Sequence, residues 1–147
     1  MTDSFWMLRA IQLAKATREA GDPPYAAIVL DENGREIAAA GNTVRSDRLT
    51  TRHAEINAIE AAQRALGRRD LSGCTLVSSA EPCPMCAGAI HWAGLSALVF
   101  GASIPSIKAM TAGGHRQIPI RAATVLEQTA CEVRGPVAEA MALDLFV

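Results

Sequence analysis

Two short motifs about thirty residues apart constrain this chain more than any other feature of its sequence. His53-Ala54-Glu55 precedes one helical pattern, and Cys83-Pro84-Met85-Cys86 opens a second one. An imidazole and two thiolates are good zinc ligands, and three protein ligands leave a fourth position open for water, as in catalytic zinc sites. A chain that uses these residues together has to bring two helix starts to the same place.

The two cysteines of the second motif have alternatives to metal binding. Cys83 and Cys86 share one face of a first helical turn, where the positive helix end lowers the pKa of thiols. A redox pair would need a thioredoxin-like context, which the chain lacks. A zinc knuckle that includes His91 would need a further cysteine where the chain has Ser96. Zinc therefore remains the better interpretation.

Glu55 is expected to stay off the metal and to carry protons. Residues two apart on a regular helix point about 200° apart, so His53 and Glu55 cannot face one site through periodicity alone. We expect His53 to reach back over the helix end while Glu55 reaches past it. The alternative is a solvent-exposed Glu55 in a charged helix face with Arg52.

The composition predicts one domain, residues 1–147, with a hydrophobic core. Half of the residues are hydrophobic and a fifth are charged. No apolar run reaches the roughly 18–20 residues that cross a bilayer, and the first residues do not resemble a signal peptide, so we expect a cytoplasmic protein without membrane contact. A net charge of −1 argues against a large polyanion as partner.

Strands are predicted to alternate with helices along the chain. Turn residues and hydrophobic periodicity predict helices over 4–20, 51–66, 84–93 and 136–146, and strands over 25–30, 35–40, 74–78, 95–100 and 122–126. This order predicts an α/β fold with a mixed, largely parallel sheet that is covered by helices on both faces.

The pattern H-x-E…P-C-x-x-C is typical of zinc-dependent nucleobase deaminases. Across residues 8–100 the chain resembles the cytidine and deoxycytidylate deaminase superfamily, in the branch of guanine, fungal-type cytosine and bacterial tRNA adenosine deaminases. The resemblance implies a three-layer αβα fold with a central mixed five-stranded sheet. It implies one Zn²⁺ per chain held by His53, Cys83 and Cys86. Glu55 would accept a proton from the activated water and deliver protons to the ring nitrogen and to the departing ammonia.

The resemblance also implies substrate contacts, with a simpler alternative for two of them. The expected contacts are the Asn42 amide, the backbone N–H of Ala54, and the Trp92 and Tyr25 rings. The segment 103–121 matches none of the subfamilies well; we expect it to cover the pocket and its His115 to contact the substrate. Asn42 follows a glycine, as in an ordinary turn, and Trp92 also fits a core position or a subunit contact.

Two departures from the family affect the expected substrate. No acidic residue occurs between Glu81 and Glu127, where guanine-deaminase-like proteins tend to place an aspartate, and the basic C-terminal helix of tRNA adenosine deaminases is absent.

We expect a hydrolytic deaminase of a free base, base analogue or nucleoside of the guanine, cytosine or isocytosine type. The alternatives are a tRNA adenosine-34 deaminase and a non-catalytic zinc-stabilised interaction domain. A helix as apolar as residues 87–93 is hard to bury in so short a chain, so we also expect a homodimer or larger homo-oligomer. Apart from a small heterocycle and water, no other partner is expected.

Overall fold

A computed structural model describes all 147 residues, which form seven α-helices, five strands and a closing 3₁₀ turn. The helices are α1 (Asp3–Glu19), α2 (Val44–Asp47), α3 (Ala54–Leu66), α4 (Pro84–Ala93), α5 (Ile104–Thr111), α6 (Ala122–Leu126) and α7 (Glu139–Leu143), and the 3₁₀ turn is Asp144–Phe146. The strands are β1 (Ala26–Leu30), β2 (Glu36–Gly41), β3 (Thr75–Ala80), β4 (Ala97–Ala102) and β5 (Glu132–Arg134). None of the helices is both long and apolar enough to cross a membrane.

The five strands form one mixed sheet in the order β2-β1-β3-β4-β5. Strand β1 is antiparallel to β2 and to β3, whereas β4 is parallel to β3 and to β5. The mixed five-stranded sheet is therefore confirmed, although only half of its pairings are parallel. Because β3 and β4 are parallel, their carboxyl ends meet at one edge, and this is the edge where ligands bind in open α/β sheets.

Helices cover both faces of the sheet, which confirms the three-layer αβα fold. Alternate residues of the central strands point to opposite faces. Helices α3, α4 and α6 bury Ala58, Ile90 and Leu126 with Val29, Leu76 and Leu98. Helix α1 buries Met7 and Ala10 with Ile28, Val77 and Val99 on the other face.

The C-terminal part of the chain differs from the prediction. Residues 122–126 form helix α6 instead of a strand, because Ala122 and Leu126 are four apart and turn the same way into the core. The fifth strand is the short β5, at residues 132–134. The closing helix begins at Glu139 because Ala138 has a left-handed φ of 52°.

Candidate active site

The starts of two helices lie side by side at one end of the molecule. His53 is the N-cap residue of α3, so the helix begins at Ala54, three residues after the predicted start at residue 51. Cys83 is the N-cap of α4, which follows the carboxyl end of β3, and Cys86 lies in the first turn of that helix. Pro84 occupies the first helical position, where its missing N–H leaves no hydrogen bond unmade.

The spacing of the three predicted ligands fits a zinc ion. The Nδ1 atom of His53 lies 3.6 Å from Sγ of Cys83 and 3.5 Å from Sγ of Cys86. Tetrahedral zinc with bonds of about 2.3 Å to sulfur and about 2.0 Å to nitrogen would hold such atoms about 3.5 Å apart. The three ligand atoms all lie within 4.8 Å of one another, and no carboxylate belongs to the group.

The thiols are polarised before any metal binds. The pKa of Cys83 is lowered to about 4, chiefly because the Cys86 thiol donates a hydrogen bond to it and also because His53 does. The same bond, together with burial, raises the pKa of Cys86. The pKa of His53 is raised by its bond to Cys83. Metal binding would therefore release the remaining thiol proton, as thiolate ligation requires.

Glu55 is buried in the first turn of α3, beside the three ligands. His53 has an extended backbone, with φ −66° and ψ 153°, so helical periodicity does not fix the angle between the two side chains. Both side chains line the same cavity. Burial is the main cause that raises the pKa of Glu55, to about 7. A carboxyl with this pKa can take up and release a proton near neutral pH.

A cavity of about 880 Å³ opens at this point, and it brings together most of the predicted site residues. Asn42, Tyr25 and His115 line it with His53 and Glu55. Ala54 is fully buried, and its N–H is at the first position of α3, where no partner within the helix exists.

Trp92 does not reach this cavity. It is 81% exposed and lies in a separate shallow groove beside Ile56 of α3. The physical reason is distance along α4, because Trp92 is eight residues, or about 12 Å, from the helix start that forms the site. Within one chain, Trp92 is therefore not part of the cavity wall, contrary to the contact expected from the sequence.

Comparison with known proteins agrees with this geometry. The sequence profile of the cytidine and deoxycytidylate deaminase zinc-binding region matches residues 1–102. The chain belongs to this family. The resemblance expected from the motifs is thereby confirmed, and the zinc site assigned to His53, Cys83 and Cys86 lies within the matched region.

Three relatives of this chain have names that give different substrates. The chain is 39% identical over 109 residues to a probable cytosine deaminase of Schizosaccharomyces pombe, across 74% of this chain and 65% of that protein. It is 41% identical over 103 residues to a tRNA-specific adenosine deaminase of Bacillus subtilis, across 70% of this chain and 63% of that one. A solved structure of a guanine deaminase from Nitrosomonas europaea is 34% identical, with a TM-score of 0.85 over 95% of this chain and 80% of that chain. The matches span slightly less than two thirds of either curated relative, and similar identities to all three leave the substrate open.

Asn42 takes part in a turn and also lines the cavity. Its Oδ1 accepts a hydrogen bond from the backbone N–H of Val44 at 2.8 Å, as in an ordinary turn. The residue is only 4% exposed and still lines the cavity. With its oxygen used by the turn, the side-chain NH₂ is the group left to face a ligand.

Glu81 is a site residue that the sequence analysis missed. Its buried carboxylate accepts hydrogen bonds from the backbone N–H groups of Ile104 and Ala122, each at 2.9 Å, and from Nε of Arg121 at 2.8 Å. These N–H groups are the first of α5 and α6, so Glu81 ties both helix starts to the loop that carries Cys83. A carboxylate directly before Pro-Cys-Pro was the available signal.

Gln117 was also missed, because a lone glutamine in a loop carries no pattern. Its side-chain NH₂ donates to the hydroxyl of Tyr25 at 3.3 Å, and that hydroxyl is 2.9 Å from Nδ1 of His115. Both His115 and Gln117 line the cavity, so the segment 103–121 contributes to its wall. Burial raises the pKa of Tyr25 and lowers the pKa of His115.

Proposed function

We propose that this protein is a zinc-dependent aminohydrolase that converts an exocyclic amine of a small heterocycle into a carbonyl and releases ammonia. The observation that carries the proposal is the position of Glu55. It is buried beside a three-residue ligand set to which it does not belong, and it lines the same cavity as His53 and Cys83 of that set. A structural zinc site is usually closed by four protein ligands, and it does not require a buried carboxylate such as Glu55 next to the metal.

A zinc ion bound by His53, Cys83 and Cys86 would supply a water molecule activated for attack at neutral pH. Glu55 takes up one proton of the water and gives it to the ring nitrogen, and it then takes up the second proton of the same water and gives it to the amine, which leaves as ammonia while the carbonyl forms. The NH₂ group of Asn42 and the free N–H of Ala54 hold polar atoms of the ring, which keeps the amine-bearing carbon at the metal.

The proposed substrate is a free base, base analogue or nucleoside of the guanine, cytosine or isocytosine type. The cavity volume lies within the range of about 300–1,000 Å³ that is usual for small-molecule sites. The protein has a net charge of −1, and α7 carries Glu139 instead of a basic face. These charges disfavour the phosphate contacts that a nucleic-acid substrate requires.

Deamination of adenosine-34 in tRNA is the second candidate, and one feature of the cavity favours it. Three arginines, Arg18, Arg45 and Arg116, line the cavity, and none of them forms a salt bridge. Guanidinium groups in this position could contact phosphates of an anticodon loop. Asp22 lines the same cavity and offsets part of their charge.

Replacement of Glu55 by glutamine tests whether the site is catalytic. Glu55→Gln should retain about one zinc per chain by elemental analysis and a normal circular dichroism spectrum, yet release no ammonia. Glu127→Gln makes the same change at an exposed position and should keep full activity. Loss of zinc from Glu55→Gln would mean that Glu55 is a fourth ligand and that the site is structural.

A coupled ammonia assay across free bases, nucleosides and aminotriazines tests the substrate class, alongside an inosine assay on a tRNA anticodon arm. We expect ammonia from at least one small heterocycle and no inosine. Inosine formation with a silent small-molecule panel would establish the second candidate instead.

We also propose a homodimer that buries the exposed face of α4. The Trp92 ring, Ala89 and Ile56 line the groove between α4 and α3. An exposed tryptophan beside apolar neighbours is typical of a protein contact surface, because such a ring buries a large area at low entropic cost.

A further inference from the structure

Three side chains from two distant segments form a hydrogen-bonded chain on the cavity wall. The NH₂ of Gln117 donates to the Tyr25 oxygen at 3.3 Å, and that hydroxyl lies 2.9 Å from Nδ1 of His115. Phe146 packs against both aromatic rings, with ring centroids 5.5 Å from Tyr25 and 5.2 Å from His115. All four residues line the same cavity as Glu55, so these hydrogen-bonded side chains can contact a substrate that is bound there.

The tautomer of His115 decides the direction of its hydrogen bond with Tyr25, and the neighbouring groups favour one tautomer. Tyr25 has a single hydroxyl proton, and its oxygen already accepts from Gln117. The acceptor within reach of that proton is Nδ1 of His115, which accepts only when it carries no hydrogen. Since burial lowers the pKa of His115, the ring is neutral at pH 7. A neutral imidazole with a bare Nδ1 carries its hydrogen on Nε2.

We propose that Gln117 and His115 determine substrate specificity by recognising a lactam edge, –NH–C(=O)–, of the aminated heterocycle. The Nε2–H group of His115 is the donor for the ring carbonyl, and the Oε1 of Gln117 is the acceptor for the ring N–H. Tyr25 is a positioning residue that holds both groups in the required orientation. The inference rests on the proposed function and narrows its substrate class.

The chemistry of this wall separates two groups of heterocycles. Guanine, cytosine and isocytosine each carry a lactam edge in addition to the amine. Adenine and triaminotriazine have no ring carbonyl, so the donor on His115 would face no carbonyl oxygen. His115 is exposed and Gln117 is half-buried in the free protein, so the discrimination arises once a bound ring shields these groups from water. A donor or acceptor then left without a partner costs about 1–3 kcal/mol, which is enough to discriminate between such rings. A carboxylate at position 117 could not donate to Tyr25, so the neutral amide is essential to this arrangement.

The proton position can be measured without any turnover. The chain has three histidines, so ¹H–¹⁵N spectra of the zinc-loaded protein are simple, and His115→Asn assigns the ring of interest. We expect the Nε2–H form of His115 in the wild type and a mixture of both forms in Tyr25→Phe. An Nδ1–H form in the wild type, or an unchanged spectrum in Tyr25→Phe, would overturn the proposal.

Matched substrate pairs test the recognition itself. Isocytosine against 2-aminopyrimidine, and guanine against 2-aminopurine, differ by the lactam carbonyl and its ring proton. Because the intrinsic reactivity of each pair also differs, the quantity compared is the change in the ratio of kcat/KM between variants. Gln117→Ala should lower the preference for the lactam member by about tenfold, mainly through KM. Gln128→Ala makes the same change at an exposed position outside the cavity and should leave the ratio as it is.

An unchanged ratio in Gln117→Ala would refute the role of Gln117. If the wild type releases ammonia from no heterocycle, the proposed function fails separately. The same pairs are then compared by calorimetric binding to the zinc-loaded protein. Tighter binding of the lactam member, lost in Gln117→Ala, supports the proposed recognition, and equal binding of both members refutes it.

Discussion

Removal of the Glu81 carboxylate should destabilise the protein although Glu81 is not a metal ligand. In Glu81→Ala the buried backbone N–H groups of Ile104 and Ala122 lose their acceptor, at a cost of about 1–3 kcal/mol each. The side chain of Arg121 is 44% exposed and can be hydrated, so the loss of this ion pair costs about 1 kcal/mol or less. We therefore expect the free energy of unfolding to fall by about 3–5 kcal/mol.

Urea unfolding of the zinc-loaded protein, followed by circular dichroism, measures this difference. A loss of this size corresponds to a decrease in Tm of about 6–20 °C for a chain of this length. Arg121→Ala should cost about 1 kcal/mol, because it leaves both backbone bonds to Glu81 intact. If Glu81→Ala unfolds within about 1 kcal/mol of the wild type, the buried carboxylate does not hold α5 and α6 in place.

Cys86→Ala should lose zinc by elemental analysis and much of its stability, whereas Cys74→Ala, which removes a buried thiol outside the ligand group, should keep the metal. Gly101→Ala should lower the free energy of unfolding by about 1–3 kcal/mol, because the added Cβ would lie 2.5 Å from a backbone oxygen of β3. Gly88→Ala, in α4 with nothing within 4 Å of the new Cβ, should be neutral or stabilise by up to about 1 kcal/mol in the same urea assay. Trp92→Glu should sediment as a monomer in analytical ultracentrifugation under conditions where the wild type is a dimer, and two indistinguishable profiles would exclude the α4 face as the interface.

The central sheet and its long helices were predictable because their hydrophobic patterns extend over many residues. Residues 122–126 were not, because a short apolar run with Thr124 and Val125 fits a strand as well as a helix. The decisive contact is the hydrogen bond from the backbone N–H of Ala122 to Glu81, forty-one residues earlier in the chain. No pattern in the neighbouring sequence predicts a hydrogen bond between residues so far apart in the chain.

The metal ligands were predictable from residue type and spacing, but their geometry was not. His53 and Cys83 are N-cap residues with extended backbones, so helical periodicity gives no information about where they point. The apolar sequence of α4 likewise did not show which face carries Trp92. That depends on which neighbours cover the helix, and these come from α3 and α6.

The family profile ends at Ala102, whereas Glu81 lies within it and binds partners beyond that point. Two of these three partners are backbone N–H groups, which every residue except proline offers, so they place little demand on the sequence that supplies them. The last third of the chain can therefore change its side chains, and with them the heterocycle preference proposed above, while its attachment to the loop that carries Cys83 is preserved. A single carboxylate thus links the proposed reaction centre to a segment whose side chains are free to vary.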